Sequence, residues 1–318
     1  MPSVLVAAMR EYRVPARREE ILDRFRALKA RQFGLFERDQ ARHLGMSDDA
    51  IYREVASGRA IRAYPRVYRD AASPQRWEQD LFAALLWAGK EAAASHRAAA
   101  ALWSLDGSEP SVIELTVPSS RKSPNGVVAH KGSLGPGEVT NVSSMRVTSP
   151  TRTILDLAAV IDEAALEIAL DSALRRGLTS LSYLQRKHEE RSARGRRGTG
   201  VVSRLLRERT PCERAPESPL ETKFVRLLRE ARLPAPHAGH EVGPYRLDFA
   251  YPSIKLGIEL DGYAFHSSKA AWQRDHKRHN ELVALGWTLL RFTWDDVAKR
   301  RNQVAREIRR RILPTFSL

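Results

Sequence analysis

Two runs of alternating polarity near the C-terminal end constrain this chain most. The first is Tyr245-Arg246-Leu247-Asp248-Phe249-Ala250-Tyr251 and the second is Lys255-Leu256-Gly257-Ile258-Glu259-Leu260-Asp261. Successive side chains of a strand point to opposite faces, so each run reads as a strand. Pro252-Ser253 supplies a turn between them, and Gly262 ends the second. Alternation puts Asp248 on the face opposite Leu247 and Phe249. In the second strand Ile258 and Leu260 face one side, and Glu259 and Asp261 face the other. A hairpin built this way brings Asp248 alongside Glu259, with Asp261 two residues further on.

Carboxylates crowded at strand ends repel one another, and their pKa values rise unless a cation neutralises them. Hard oxygen ligands of this kind suit Mg²⁺ or Mn²⁺. Such an ion polarises a phosphoryl oxygen and lowers the pKa of an attacking water. The competing reading is a solvated acidic face on an edge hairpin. Upstream, Ser218-Pro219 followed by Phe224, Leu227 and Leu228 marks the start of an amphipathic helix. Glu221 stands three residues after Ser218. It is either a further acid for the cluster or the partner of the Ser218 backbone N–H in a capping box.

Charge bears on what such a site acts on, with a compositional bias toward Arg and Ala as the competing reading. The 318 residues carry 53 Lys and Arg against 38 Asp and Glu, a net +15. A balance this basic points to a polyanionic partner, nucleic acid first. The basic residues are spread along the chain rather than gathered on one amphipathic helix, which argues against a membrane surface. No apolar run approaches the roughly 18 residues a membrane span needs. The stretch Met1 to Gln32 does not read as a secretion signal. Cys212, the single cysteine, excludes an intramolecular disulfide and a Cys-based zinc site and makes the cytoplasm the default location.

The chain reads as five stretches. Residues 1–30 form a leader with helical spacing at Ile21, Leu22, Phe25 and Leu28. Residues 31–72 read as a winged helix-turn-helix for DNA. A short helix over Phe36–Leu44 ends at Gly45, a second helix is capped by Ser47, and a hairpin spans Ala60–Arg69. On that reading Tyr52 and Arg53 face the major groove, and Arg59, Arg62, Arg66 and Arg69 lie near phosphates. The alternative is a small helical bundle with solvated arginines. Residues 73–185 read as a mixed α/β middle domain with no catalytic constellation; the His96-Arg97 pair reads as structural. Residues 186–217 read as a basic linker, with Val201 to Leu206 forming a helical turn or two. Residues 218–318 hold the candidate chemistry. The fold class is α+β overall, with a central mixed sheet flanked by helices in the last domain.

The order of helix with Glu221, strand with Asp248, strand with Glu259-x-Asp261, then helix and strand, resembles the core of PD-(D/E)XK nucleases. The run Ile258-Glu259-Leu260-Asp261-Gly262-Tyr263-Ala264-Phe265-His266, then Asp275, Arg278 and Gly286 to Trp294, looks like the very-short-patch-repair-like endonuclease branch. The N-terminal region resembles the winged-helix domain of AbiEi-type antitoxins. The first resemblance implies a restriction-endonuclease-like fold and hydrolysis of DNA with Mg²⁺ or Mn²⁺. Asp248 and Glu259 match its metal ligands, and Glu221 matches the first-helix glutamate. Asp261 stands where the superfamily usually has lysine, and His266 is the candidate to replace it as acid/base or charge stabiliser. His266 as a packing or capping residue is the alternative. Arg278 and Arg291 either contact phosphate or pair with the acids, and Asp275 is expected to pair with Arg278. The antitoxin resemblance implies a partner protein of a toxin–antitoxin or defence system. It also supports a rival reading, a non-catalytic DNA-binding regulator that keeps a nuclease scaffold.

Overall fold

The computed structural model describes residues 18–120, 122–192, 197–209, 215–261 and 269–316, and it shows the expected α+β class. The chain divides into two compact units, Met1–Ala98 with Pro110–Thr148, and Ala99–Glu109 with Ser149–Leu318. Among the described residues no helix is long and apolar enough to cross a membrane.

The first unit opens with α1 (Arg18–Arg31), β1 (Leu35–Glu37), α2 (Arg38–His43), α3 (Asp48–Ala56), β2 (Ala60–Tyr64) and β3 (Val67–Asp70). The strands form an antiparallel sheet in the order β1-β3-β2. Phe25, Phe36, Ala41, Met46, Ile51 and Ala60 make its core. Ser47 caps α3 as expected, its Oγ accepting the Ala50 N–H at 3.2 Å. The helix expected from Phe36 starts two residues later. Leu35 and Phe36 pair with Arg69 and Tyr68 of β3, and the Gln40 side chain takes the Glu37 N–H at 3.0 Å. Tertiary strand pairing thus outweighs local helical spacing.

The rest of this unit has α4 (Trp77–Ala88), β4 (Ala93–Ala94), the start of α5 (His96–Leu102), β5 (Ile113–Val117), β6 (Val127–Lys131), β7 (Val139–Val142) and β8 (Met145–Thr148). Its sheet runs β6-β5-β4-β8-β7.

The second unit continues with α6 (Pro150–Leu157), α7 (Glu163–Arg175), α8 (Leu181–Arg191) and α9 (Thr199–Arg207). Residues 186–217, read above as a linker, contain the end of α8 and all of α9. Val202, Leu205 and Leu206 of α9 are buried among Ile154, Leu157, Leu166, Leu170 and Leu184. An apolar stripe on a short helix recovers here the free energy that ordering its backbone costs.

Then come α10 (Pro219–Glu230), β9 (His237–Val242), β10 (Tyr245–Tyr251), β11 (Leu256–Asp261), α11 (Lys269–Ala284), β12 (Thr288–Thr293), α12 (Trp294–Lys299) and α13 (Arg301–Phe316). The sheet order is β12-β11-β10-β9, with β11 and β12 parallel and the other pairs antiparallel. One face packs Phe249, Tyr251, Ile258 and Phe292 against Leu220, Phe224, Val304 and Ile308 from the helices. The other packs Leu247 and Ala250 with Leu282 and Trp287. Leu247 and Phe249 therefore enter different clusters, and simple alternation does not run straight through Asp248. Gly257 is required in β11: a Cβ there would stand 2.7 Å from a Leu289 methyl and 2.9 Å from a Leu247 methyl.

Candidate functional site

The break in alternation has a cause in the ladder. Backbone pairing of β10 with β11 runs Tyr251↔Leu256, Ala250↔Gly257 and Phe249↔Ile258, and stops there. One step further, where Asp248 would face Glu259, the Asp248 Oδ2 accepts the Leu260 N–H at 2.8 Å. The Arg246 carbonyl takes a hydrogen bond from Arg278 Nη2 at 2.7 Å. Side chains thus satisfy backbone groups that the splayed strands leave open.

Glu221 begins α10 beside this opening. Its Oε2 accepts the Glu217 N–H at 2.9 Å, its Oε1 accepts from Ser218 Oγ at 3.2 Å, and its own N–H donates to Ser218 Oγ at 3.1 Å. The helix-capping role is present, with the N–H of Glu217 in place of that of Ser218. The Glu221 carboxyl also lies within electrostatic reach of Asp248. Burial first, and then the Asp248 charge, raise the Glu221 carboxyl above its ordinary value. Asp248 is raised likewise, by burial first and by Glu259 and Glu217, against the opposing pull of the Leu260 N–H and of Arg278. Asp248 thus feels the charge of Glu259, and Glu221 feels the charge of Asp248.

Glu259 is only 5% exposed and faces two guanidiniums. Its Oε2 accepts from Arg291 Nε at 2.9 Å. Its Oε1 lies 2.6 Å from Arg278 Nη2, yet the hydrogen bond of that nitrogen goes to the Arg246 carbonyl, and Oε1 is buried without a hydrogen bond. Arg291 also grips Asp275 with both terminal nitrogens, at 2.6 and 2.8 Å. Those bonds hold Asp275 below the usual carboxylate range and push Arg291 up. The partner of Asp275 is thus Arg291, across the α11–β12 crossover, rather than Arg278 one turn away.

Asp261 closes β11, partly exposed and in register with Thr293. His266 and Gly262 lie outside the described residues, as does the Trp272 side chain. Phe292 is buried in the core, and Trp294 packs against it with Lys223 Nζ 5.3 Å from its ring centre. Among the described residues no group of three or more His, Cys, Asp or Glu forms a ready cage for a metal ion. The donors nevertheless fit a hard divalent cation in chemistry. The Glu221 and Asp248 carboxyls are raised first by burial and then by neighbouring acids, and the buried Glu259 Oε1 has no hydrogen bond, only its ion pair with Arg278 at 2.6 Å.

The candidate DNA-contacting residues divide in the same way. Tyr52 is 71% exposed, and Arg53 and Arg62 are exposed without an ion pair among the described residues. Arg59 is paired with Glu54 at 2.8 Å, and Arg66 is paired with Asp39 and Glu37. Sequence reasoning missed Glu217, which pairs with Arg246 and whose N–H anchors Glu221. The one available signal was its position four residues before Glu221.

It also missed a polar cluster in the first unit. Glu114 Oε1 takes His130 Nε2 at 3.0 Å and Arg97 Nη1 at 3.2 Å, Oε2 takes the Arg97 N–H at 2.9 Å, and the His96 and His130 rings stack at 3.7 Å. Burial works to raise the Glu114 carboxyl, but these partners outweigh it and hold the group below its ordinary value.

Residues 221–312 match the family model REase_MTES_1575, a restriction-endonuclease-like family. Over 265 residues the chain is 28% identical to the uncharacterized protein Rv2248 of Mycobacterium tuberculosis (strain ATCC 25618 / H37Rv), covering 81% of this chain and 94% of that one. Over 78 residues it is 40% identical to the uncharacterized protein YcjD of Escherichia coli (strain K12), covering 24% of this chain and 63% of that one. The solved catalytic domain of the homing endonuclease I-Bth0305I is similar over 31% of this chain and 97% of its own, with 22% identity and a TM-score of 0.27. The family match supports a nuclease-type domain in the last third of the chain.

Proposed function

We propose that this protein is a divalent-metal-dependent DNA endonuclease whose N-terminal helices and hairpin form a winged helix that docks it on DNA. The carrying observation is the pair of half-buried, raised Asp248 and Glu221 carboxyls near Glu259, whose buried Oε1 makes no hydrogen bond and is held only by its ion pair with Arg278. Asp248 and Glu259, with Glu221, would hold Mg²⁺ or Mn²⁺. A bound divalent ion supplies Lewis acidity toward a phosphoryl oxygen and lowers the pKa of a nearby water. Arg278 and Arg291 orient the acids and meet the scissile phosphate. His266 moves the proton that the leaving oxygen requires. Asp261, at the position where related nucleases usually carry lysine, adds negative charge at the strand end. Tyr52, Arg53 and Arg62 make the docking contacts, together with Arg59 and Arg66 once these leave their acidic partners.

The test is a plasmid nicking assay with Mg²⁺ or Mn²⁺ comparing wild type with Asp248→Asn. A fall in rate of at least about a hundredfold is expected, the scale of removing one charged group that stabilises the transition state. Equal nicking by both proteins removes the assigned site.

One observation favours a second reading, a DNA-binding regulator without catalysis: Glu259 already has its charge matched by two arginines. Mobility-shift binding with no cleavage under any divalent ion would select it.

A further inference from the structure

The two arginines on Glu259 are not equivalent. Arg291 keeps a second acidic partner, Asp275, in a two-pronged pair, so it would stay anchored without Glu259. Among the described residues the hydrogen bond of Arg278 goes to a neutral carbonyl, that of Arg246, and its charge also acts on Asp248 and Asp275 without an ion pair to either. Arg278 is also the one against Glu259 Oε1, the buried oxygen that accepts no hydrogen bond. Its side chain is 26% exposed, whereas that of Glu259 is 7% exposed. Arg278 is thus the more exposed member of the pair, and a backbone phosphate is a competing anion for its guanidinium. Arginine forks pair with phosphate as readily as with carboxylate.

We infer that Arg278 is a substrate-operated gate on the cation site. In the free protein it occupies the Glu259 oxygen a cation needs, and a phosphodiester backbone draws it away and opens that oxygen. The inference rests on the nuclease reading and adds regulation to it. Its consequence is thermodynamic. If duplex opens the site, duplex and cation must strengthen each other's binding by the same factor.

The experiment measures Mn²⁺ uptake by the electron paramagnetic resonance signal of free Mn²⁺, with and without a phosphorothioate duplex that resists cleavage. For the full-length wild type, duplex should tighten Mn²⁺ binding by about tenfold or more, and Mn²⁺ should tighten duplex binding by the same factor. Arg278→Met should bind Mn²⁺ tightly without duplex, with under about threefold further gain. The wild-type reciprocity needs no variant to fold. Mn²⁺ binding that ignores duplex, in a protein that still nicks DNA through Asp248, overturns the gate and leaves the nuclease standing. Coupling in wild type with weak Mn²⁺ binding by folded Arg278→Met places the block elsewhere and also overturns it. No Mn²⁺ uptake under any condition overturns the gate and the nuclease reading together.

Discussion

Asp248 ionises at a cost in this fold, because it is half-buried near Glu259 and Glu217, and the Leu260 N–H and the Arg278 charge offset only part of that cost. A carboxyl raised in the folded state favours folding only while it is protonated. Its handicap is absent below its unfolded value of 3.8 and grows as pH rises through the raised one. Asp248→Asn keeps an acceptor for the Leu260 N–H and removes the charge. It should be more stable than wild type at pH 7.5, and the difference should shrink as pH falls toward 4. Thermal midpoints at the two pH values check this, and a gap that widens toward acid would contradict the assignment. Glu114 shows the opposite sign. It is held low, so its contribution is present above its unfolded value and fades as pH falls. Glu114→Ala should cost about 3 kcal/mol near neutral pH, measured by urea unfolding, because Arg97 and His130 are left without their buried partner. The spacing singled out the candidate acids, and the nuclease resemblance, not the spacing, set them apart from a solvated acidic face. The exchange of Asp275 from Arg278 to Arg291 was not legible, since sequence distance says nothing about a pair formed across a crossover.

Among the elements, α10, β10 and β11 were legible because apolar periodicity, Ser218-Pro219 and the Gly and Pro stops all agreed, whereas β12 was expected only from the nuclease resemblance. Strand β9, His237–Val242, was missed. It is a polar edge strand with Gly239 at φ +61°, and its pairing with β10 replaces any periodic signal. The α9 helix was read as a turn or two in a basic linker, because charge counting overshadowed the stripe of Val202, Leu205 and Leu206. The same region carries a buried network: Glu167, 2% exposed on α7, receives Arg209, Arg226 and Arg229, which ties α7 to α10. Leu205→Ala should therefore destabilise the second unit by about 2–5 kcal/mol, as a cavity in a closed core does. Differential scanning calorimetry decides it, since a linker leucine would cost almost nothing.

At the level of the whole molecule, a net charge of +15 sets long-range attraction to polyanions, and the exposed arginines decide where that attraction is used. Replacing both Arg53 and Arg62 with alanine should weaken duplex binding. It should also lower the slope of log affinity against log salt by about 2, since each arginine neutralises one phosphate and so displaces about one counterion. Fluorescence anisotropy across salt concentrations reads this, and an unchanged slope would move the docking face elsewhere. The amino-acid order alone determined the α+β class, the acidic hairpin and the basic character, because these depend on period, turn residues and charge, which are local or additive. Which arginine faces which acid, where the β10–β11 ladder opens, and which cations stay unpaired were settled by packing. Those are distances between residues far apart in the chain, set by how helices and sheet bury their apolar faces, and no local pattern encodes them.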